Sequence, residues 1–253
     1  MKNPIELTSL QEKLIKSIPD IRLTILRRYE FRDIFNAIRY VVKTGVQWKR
    51  LPPNYPKWKI VYHHFRSWSC RGWFHRILET LLYGKRGSLG LAPYPATGII
   101  DSQSVRSAIP HSVKGIDGHK KIKGIKRHLC VDSNGYFICV NVTTANVHDT
   151  RGICPVIAEL MANIPSVKVL KGDKGYSDHF ADTLRSAASM ELKTVKSNFG
   201  TTEFIPMEGR WVVERSFSWL ENYRRLTRNY ELKLHTAQAM VMVAAVAFML
   251  RYF

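Results

Sequence analysis

The stretch RWVVERSFSWLENYRRLTR, residues 210–228, indicates how the rest of this chain is organised. It contains no proline or glycine, and its apolar residues recur at helical spacing. At about 100° per residue, several side chains fall within about 40° of Glu214 on one face, namely Arg210, Ser218, Glu221, Arg225 and Arg228. The pattern predicts one helix whose front carries a carboxylate surrounded by arginines. A solvated, salt-bridged face is the plainer alternative.

Two apolar runs earlier in the chain each lead into an aspartate. The segment TGIIDSQSVR, residues 97–106, carries Asp101, and the segment VKVLKGDKGY, residues 167–176, carries Asp173 between two glycines. Two strands that each deliver an aspartate, and a later helix that delivers Glu214, form a constellation of three carboxylates. Clustered acids repel one another unless cations are present, and hard oxygen ligands suit Mg²⁺ or Mn²⁺. We therefore predict that Asp101, Asp173 and Glu214 bind metal.

Composition points to a polyanionic partner. The chain has 253 residues, is 45% hydrophobic and carries a formal net charge of +19, so it has the apolar content for a packed core. A globular chain this basic usually meets nucleic acid, with a membrane surface as the second candidate. The excess of positive charge is concentrated in the first 90 residues, which hold 18 Lys/Arg against 6 Asp/Glu.

Cysteine spacing and hydropathy argue against several other classes of protein. The 4 cysteines form no CxxC pair, which argues against a zinc site and a disulfide framework. The first residues lack the apolar segment of a signal peptide. The apolar run from Met240 to Leu250 is too short to span a bilayer, so we predict a buried core helix, no membrane association and a cytoplasmic location.

The first part of the chain reads as helical. Periodicity predicts helices at Leu7–Ile18, at Glu30–Lys43 and across Ile60–Leu82, the last broken near Gly72. Such a basic bundle, with Arg66 among its polar positions, suits helix-turn-helix docking on duplex DNA; a helical cap with a charged surface is the alternative. The Gly- and Pro-rich segment Gly84–Ala96 reads as a linker. We predict a DNA-binding domain at residues 1–90 and a second domain at residues 91–253.

The second part alternates strands and helices. A basic segment at Ile109–Lys126 contains Lys120, Lys121 and Lys123 and suggests a loop against phosphates, with a plain surface loop as the alternative. The expected order is a strand at Gly98–Asp101, a hairpin around Asn134-Gly135, a helix at Thr150–Ala162, a strand at Val167–Leu170, a helix at Ser177–Ser189, a strand at Leu192–Val195, and the Glu214 helix. This is the ribonuclease H-like order, an α/β fold with a mixed sheet flanked by helices, in which the two aspartate strands are neighbours.

Six motifs resemble the IS5 family of bacterial insertion-sequence transposases, within the DDE transposase superfamily. They are FRDIFNAIRYVVKTGVQWKRLPP at 31–53, VYHHFRSW at 61–68, IDSQSVR at 100–106, NVHD at 146–149, GDKGY at 172–176 and RWVVERSFSWL at 210–220. The resemblance implies that Asp101, Asp173 and Glu214 are the catalytic acids. It also implies two Mg²⁺ or Mn²⁺ ions, strand cleavage and transfer at terminal inverted repeats, and a homodimer on double-stranded DNA in the bacterial nucleoid.

The motifs and their neighbours also contain candidate phosphate-binding residues. Arg210, Arg215 and Lys174 are candidates, and ion pairing within the protein is their alternative role. The wider group often has Tyr and Lys where this chain has Met207 and Glu221. We expect Arg225 or Arg228 to substitute for the missing lysine. A transposase-derived DNA-binding protein without catalysis and a ribonuclease H-like nuclease are the two alternative functions.

Overall fold

The computed structural model describes residues 6–18, 29–173, 175–176, 178–194 and 211–253. Its first part is helical, as predicted. The helices are α1 (Ser9–Lys16), α2 (Phe31–Thr44), α3 (Trp58–Cys70) and α4 (Trp73–Ser88), with a 3₁₀ turn at Trp48–Arg50. Helix α1 begins with a capping box, because the Thr8 side chain accepts from the backbone of Gln11 and the Gln11 side chain accepts in return.

The second part is built around one six-stranded sheet. Its strands are β1 (Thr97–Arg106), β2 (Gly115–Asp117), β3 (Ile122–Val131), β4 (Phe137–Thr144), β5 (Val169–Gly172) and β6 (Glu191–Thr194). β3 pairs antiparallel with β1, β4 and β2, while β1, β5 and β6 run parallel to one another. The main order is therefore β4-β3-β1-β5-β6, with β2 beside the start of β3. This mixed sheet has the ribonuclease H-like topology that the sequence predicted.

Four helices cover the sheet, and one of them joins both parts of the chain. They are α5 (Asp149–Asn163), α6 (Asp178–Ala188), α7 (Trp211–Glu221) and α8 (Leu234–Met249). Helix α8 packs against β4 of the sheet and against α2 and α4 of the helical part. The segment Leu234–Tyr252 has the length and composition of a membrane span, yet 72% of its most apolar window is buried inside the fold. It is thus the core helix of a shared hydrophobic interior, and the domain division near residue 90 remains a prediction.

The turn between β3 and β4 is fixed by a buried carboxylate. The Asp132 side chain is fully buried, and its Oδ1 accepts backbone hydrogen bonds from Asn134 and Tyr136, each at 2.9 Å. Its other oxygen pairs with the guanidinium of Arg86 on α4. Gly135 has a φ of 84°, which explains the Asn-Gly sequence at this turn.

Three local predictions were wrong. Gly84–Ala96 is not all linker, because α4 continues to Ser88. The basic segment Ile109–Lys126 is not an open loop, because β2 and β3 form a hairpin within it. β1 continues beyond Asp101 to Arg106, since antiparallel pairing with β3 extends over that length.

The predicted single helix through Arg228 was also wrong. α7 ends at Glu221, and a 3₁₀ turn follows at Arg224–Leu226. The buried Arg127 holds the chain there, because its Nη2 donates to the carbonyl of Leu226 at 2.6 Å. Arg225 consequently leaves the Glu214 face of the helix.

The Arg86–Asp132 pair offers a test of how the two parts of the chain are joined. We expect Arg86→Met to lower the free energy of unfolding by about 3–5 kcal/mol, because it leaves a buried carboxylate without its counter-charge. Urea unfolding followed by circular dichroism measures this. Lys193→Met, in the exposed Glu191–Lys193 pair, is the control and should cost less than about 1 kcal/mol. Equal losses in the two variants would contradict this account.

Candidate active site

The two predicted aspartates lie on neighbouring parallel strands. The pairing of β1 with β5 matches Thr97 to Val169 and Ile99 to Lys171. Continued at the same offset, this register places Asp101 level with Asp173, just beyond the last residue of β5. Both carboxylates are partly exposed. Asp101 accepts from the backbone of Ser102 at 2.7 Å, and Asp173 accepts from the backbone of Gly175 at 2.9 Å.

The side chain of Tyr176 is buried near the end of β5, close to three aspartates. Burial raises the pKa of its phenol well above the usual value, and the charges of Asp101, Asp149 and Asp173 raise it further. The hydroxyl has no hydrogen-bond partner among the described residues. Its ring lies over Gly172, where a Cβ would stand 2.8 Å from the Tyr176 Cδ2. A site of this charge favours a bound cation.

Helix α7 covers the same face of β1. Asp101 and Gln103 are two residues apart in the strand and therefore share a face. Gln103 donates to Glu221 on α7 at 3.0 Å, which identifies α7 as the element over that face. Glu214 lies two helical turns before Glu221, on nearly the same side of the helix, and is exposed. Glu214, the third predicted acid, is therefore carried by the helix that lies over Asp101.

Asp101, Asp173 and Glu214 suit a hard divalent cation, but the structure does not group all three around one point. All three side chains offer carboxylate oxygens, the ligands that Mg²⁺ and Mn²⁺ prefer. Within the described ranges, no three His, Cys, Asp or Glu residues are grouped closely enough to hold one metal ion. The geometry therefore supports an Asp101–Asp173 pair directly and a contribution from Glu214 only through the placement of its helix.

A buried ionic network supports the opposite face of β1. The ammonium of Lys126 lies 2.8 Å from Asp149 and 3.6 Å from Asp117. Burial favours a higher pKa for Asp117, but the hydroxyl of Ser104, the backbone of Lys120 and the charge of Lys126 outweigh it and lower the pKa to about 2. The pKa of Asp149 is also lowered, because hydrogen bonds to Lys126 and Ser102 outweigh burial. Both acids therefore stay ionised beneath the strand that carries Asp101.

For Asp149 the sequence left two roles open, support of the site and a helix cap, but its partner Lys126 and the neighbouring Asp117 were missed. Asp149 belongs to the NVHD motif, where the structure assigns the helix cap to His148 and the ionic role to Asp149. Lys126 lies at the end of a basic run typical of a surface, yet it is buried. Tyr176 belongs to the GDKGY motif, but nothing in the sequence indicated that it is buried against the acids.

The predicted phosphate-binding residues are exposed, half-buried, outside the described residues, or paired within the protein. Lys120, Lys121 and Lys123 are exposed at the tip of the β2–β3 hairpin, and Arg228 is exposed after α7. Arg66 is half-buried on α3. Arg210, Lys174 and Met207 lie outside the described residues.

Arg225 and Arg215 have internal partners. Arg225 is buried and donates from Nε and Nη2 to one oxygen of Glu231, at 2.9 and 2.8 Å, so its predicted role on the Glu214 face is wrong. The guanidinium of Arg215 lies between the rings of Trp211 and Trp219, 4.5 and 4.7 Å from their centroids. It also donates to the carbonyl of Asn134 at 2.7 Å. These contacts fix α7 to the β3–β4 turn.

His128 lies on the same face of β3 as Lys126, and it should make the folded protein sensitive to acid. Burial lowers the pKa of His128 to about 4, below its ordinary 6.5. The folded state therefore resists protonation, and the stability that this histidine contributes is present above pH 6.5 and is lost as the pH falls towards 4. The loss should reach about 3 kcal/mol. Urea unfolding between pH 7 and 4 measures it.

His128→Gln should flatten this pH dependence by about that amount, whatever its effect at pH 7. His111→Gln, at an exposed histidine, controls for the loss of an imidazole. An unchanged slope in His128→Gln would show that other groups cause the acid sensitivity.

The topology and the aspartate pair define a ribonuclease H-like protein of the DDE type. Residues 95–250, more than half of the chain, match the family described as "Transposase DDE domain". Residues 11–78 match "Putative transposase of IS4/5 family". The chain belongs to the family of transposase DDE domains, and the resemblance to insertion-sequence transposases is confirmed.

Two individual proteins are similar over shorter stretches. A putative transposase for insertion sequence element IS402 from Burkholderia cepacia is 29% identical over 118 residues, which cover 43% of this chain and 54% of that protein. The chain thus spans about half the length of this curated relative. The catalytic core domain of BIV integrase aligns with a TM-score of 0.35 and 14% identity, over 58% of this chain and 81% of that structure.

Proposed function

We propose that this protein is the transposase of an insertion sequence, which binds the terminal inverted repeats of its element and catalyses strand cleavage and strand transfer. The parallel register that brings Asp101 level with Asp173 carries this proposal, since it supplies the paired carboxylates that such chemistry needs. Membership of the transposase DDE family supports it.

The reaction requires that a phosphodiester be held in line with its attacking oxygen. Asp101, Asp173 and Glu214 would hold two Mg²⁺ or Mn²⁺ ions, which when bound polarise the phosphate and the attacking and leaving oxygens. Carboxylates suit this task because they bind hard cations while leaving positions for phosphate oxygens. Arg215 and its two tryptophans keep α7, and with it Glu214, in place over β1.

The exposed basic residues provide a path for duplex DNA. Lys120, Lys121 and Lys123 lie beside the end of β1, because the backbone of Ser107 donates to the carbonyl of Lys123 at 3.2 Å. Arg106 is five residues from Asp101, which is about 17 Å along a strand and about five base pairs of duplex. Arg228 and the undescribed Arg210 and Lys174 complete the proposed contacts.

Assembly follows from the reaction. Two transposon ends and a target duplex have to be brought together, so we propose a homodimer that assembles on DNA in the bacterial cytoplasm, at the nucleoid. The two alternatives remain a DNA-binding protein without catalysis and a nuclease that cuts without joining.

A conservative substitution at the site tests the assignment. Asp173→Asn should abolish metal-dependent cleavage of a labelled DNA carrying the end of the element, because an amide cannot supply the negative charge that holds the cations. Binding of the same DNA without metal should change by less than about twofold. Asp182→Asn on α6 makes the same change at an exposed aspartate and should cut normally.

The products of the same assay separate the alternatives. Cutting at the end followed by joining to a second duplex supports the transposase. Cutting without joining would indicate a nuclease. Binding without cutting in Mg²⁺ or Mn²⁺ would indicate a catalytically silent DNA-binding protein. Cutting by Asp173→Asn would remove this aspartate from the site.

Salt dependence tests the DNA path. Replacing Lys120, Lys121 and Lys123 together with Gln should weaken duplex binding and reduce the slope of log affinity against log salt by up to about 2.7, or about 0.9 per phosphate contact. The matched control replaces three exposed basic residues near the opposite edge of the sheet, Lys168, Arg185 and Lys193, with Gln. Equal effects of the two triple variants would place the DNA elsewhere.

A further inference from the structure

Three polar side chains connect β3, β1 and α7 beside the candidate site. Gln103 on β1 pairs in register with Arg127 on β3. The Nη1 of Arg127 donates to the Oε1 of Gln103 at 3.4 Å, and the Nε2 of Gln103 donates to the Oε1 of Glu221 at 3.0 Å. We call this set of three residues the Gln103 bridge. It lies on the face of β1 that carries Asp101, two residues further along the strand.

Arg127 determines which way the amide of Gln103 points. Arg127 is only 2% exposed, and burial lowers its pKa to about 10, with the charge of Glu221 acting in the opposite direction. The guanidinium is therefore charged at neutral pH, and it can only donate hydrogen bonds. Gln103 has to turn its oxygen towards Arg127 and its NH₂ group towards α7. In this orientation the amide donates to a carboxylate on the helix.

The geometry of α7 extends the effect of this contact to Glu214. Glu221 follows Glu214 by seven residues, which is about 700° of helical rotation, so the two side chains leave the helix within about 20° of each other. A bond that holds Glu221 against β1 therefore also turns Glu214 towards β1. On the strand, Gln103 and Asp101 are about 7 Å apart. The bridge thus aligns the acidic side of the helix with the acidic face of the strand.

Apolar packing alone does not define this alignment. The buried residues Val213, Phe217 and Leu220 are centred about 90° away from Glu214 around the helix. Their burial holds α7 on the sheet and leaves the Glu214 side at the margin of the contact. The side-chain bonds from Arg215 and Ser216 go to the β3–β4 turn. The contact from Gln103 adds a bond between α7 and β1 itself.

The identity of residue 221 fits a contact within the protein. A glutamate that faced DNA would repel the phosphates, although the chain as a whole carries a net charge of +19. A lysine, which the wider group often has here, offers no acceptor and could not receive the bond from Gln103. Glu221 supplies the acceptor that the bridge requires.

We propose that Gln103 is a positioning residue of the candidate site. Through Glu221 it keeps the Glu214 side of α7 turned towards β1, and so determines how Glu214 reaches a cation held by Asp101 and Asp173. The inference rests on the proposed function and deepens it. The bridge touches neither the substrate nor the ions, so its whole effect passes through Glu214.

The affinity for Mn²⁺ tests this role without any cleavage. The ion is titrated into the full-length protein in the absence of DNA, and the electron paramagnetic resonance signal of unbound Mn²⁺ reports the affinity. Gln103→Leu should weaken binding about tenfold, the usual effect of losing an outer partner of a metal site. Gln238→Leu is the matched control and should bind normally. It removes a partly buried glutamine that donates to the Val140 carbonyl at 2.8 Å.

Substitutions at Glu221 break the same bond from its exposed end, so they carry the test even where Gln103→Leu impairs folding. Glu221→Leu should weaken Mn²⁺ binding as much as Gln103→Leu does. Glu221→Gln keeps an acceptor oxygen and should lose less than about threefold, the effect of one distant, screened charge. Equal losses in Glu221→Gln and Glu221→Leu would show that charge alone matters, and would overturn the proposal.

A double-mutant cycle distinguishes positioning from a general loosening of the fold. Because the bridge acts through Glu214, Gln103→Leu should change the Mn²⁺ affinity by less than about twofold when it is combined with Glu214→Gln. The same loss from Gln103→Leu in both backgrounds would contradict the proposal, since the effect would then not depend on Glu214.

The inference and the proposed function can fail separately. If the wild type cuts and joins DNA, and Gln103→Leu binds Mn²⁺ as the wild type does, the inference alone is wrong. If neither Asp173→Asn nor Glu214→Gln weakens Mn²⁺ binding, these carboxylates do not hold the ion, and the proposed function fails together with the inference.

Discussion

The parallel pairing of β1 with β5 is the contact on which the candidate site depends. It alone brings Asp101 and Asp173, 72 residues apart in sequence, to the same level of the sheet. The pairing needs close approach at Gly98, where a Cβ would lie 2.7 Å from the Cys130 Sγ and 3.0 Å from the Leu170 Cδ2. A larger residue there would push β1 away from its neighbours and move the aspartate pair.

The two faces of β1 carry different sets of charged side chains. The face under α7 carries the carboxylates of Asp101 and Asp173, with Glu214 on the helix above them. The other face buries Lys126 against Asp117 and Asp149, so one of its two negative charges is compensated within the protein. This separation explains how a chain with a net charge of +19 keeps a locally negative site.

Local patterns were enough to predict the order of strands and helices apart from β2, and the strands that carry the aspartates. The end of α7 was not predictable, because Tyr223 and Leu226 continue the helical spacing and are buried, although the chain has already left the helix. What ends it is tertiary: Arg127, about 100 residues earlier, binds the Leu226 carbonyl. The burial and ion pairing of Lys126 could not be predicted either, since its two acidic partners come from separate segments. Periodicity describes one segment at a time and carries no information about such contacts.

The buried helix α8 determines how DNA binding relates to the carboxylates. Because α2 and α4 of the helical part and β4 of the sheet all pack against it, the two parts share one apolar interior. Separating them would expose a helix with almost no polar surface, at a cost of about 25 cal/mol per Å². The position of the helical part relative to Asp101 is therefore set by core packing, so any DNA that the helical part binds would present a fixed phosphodiester to the acids.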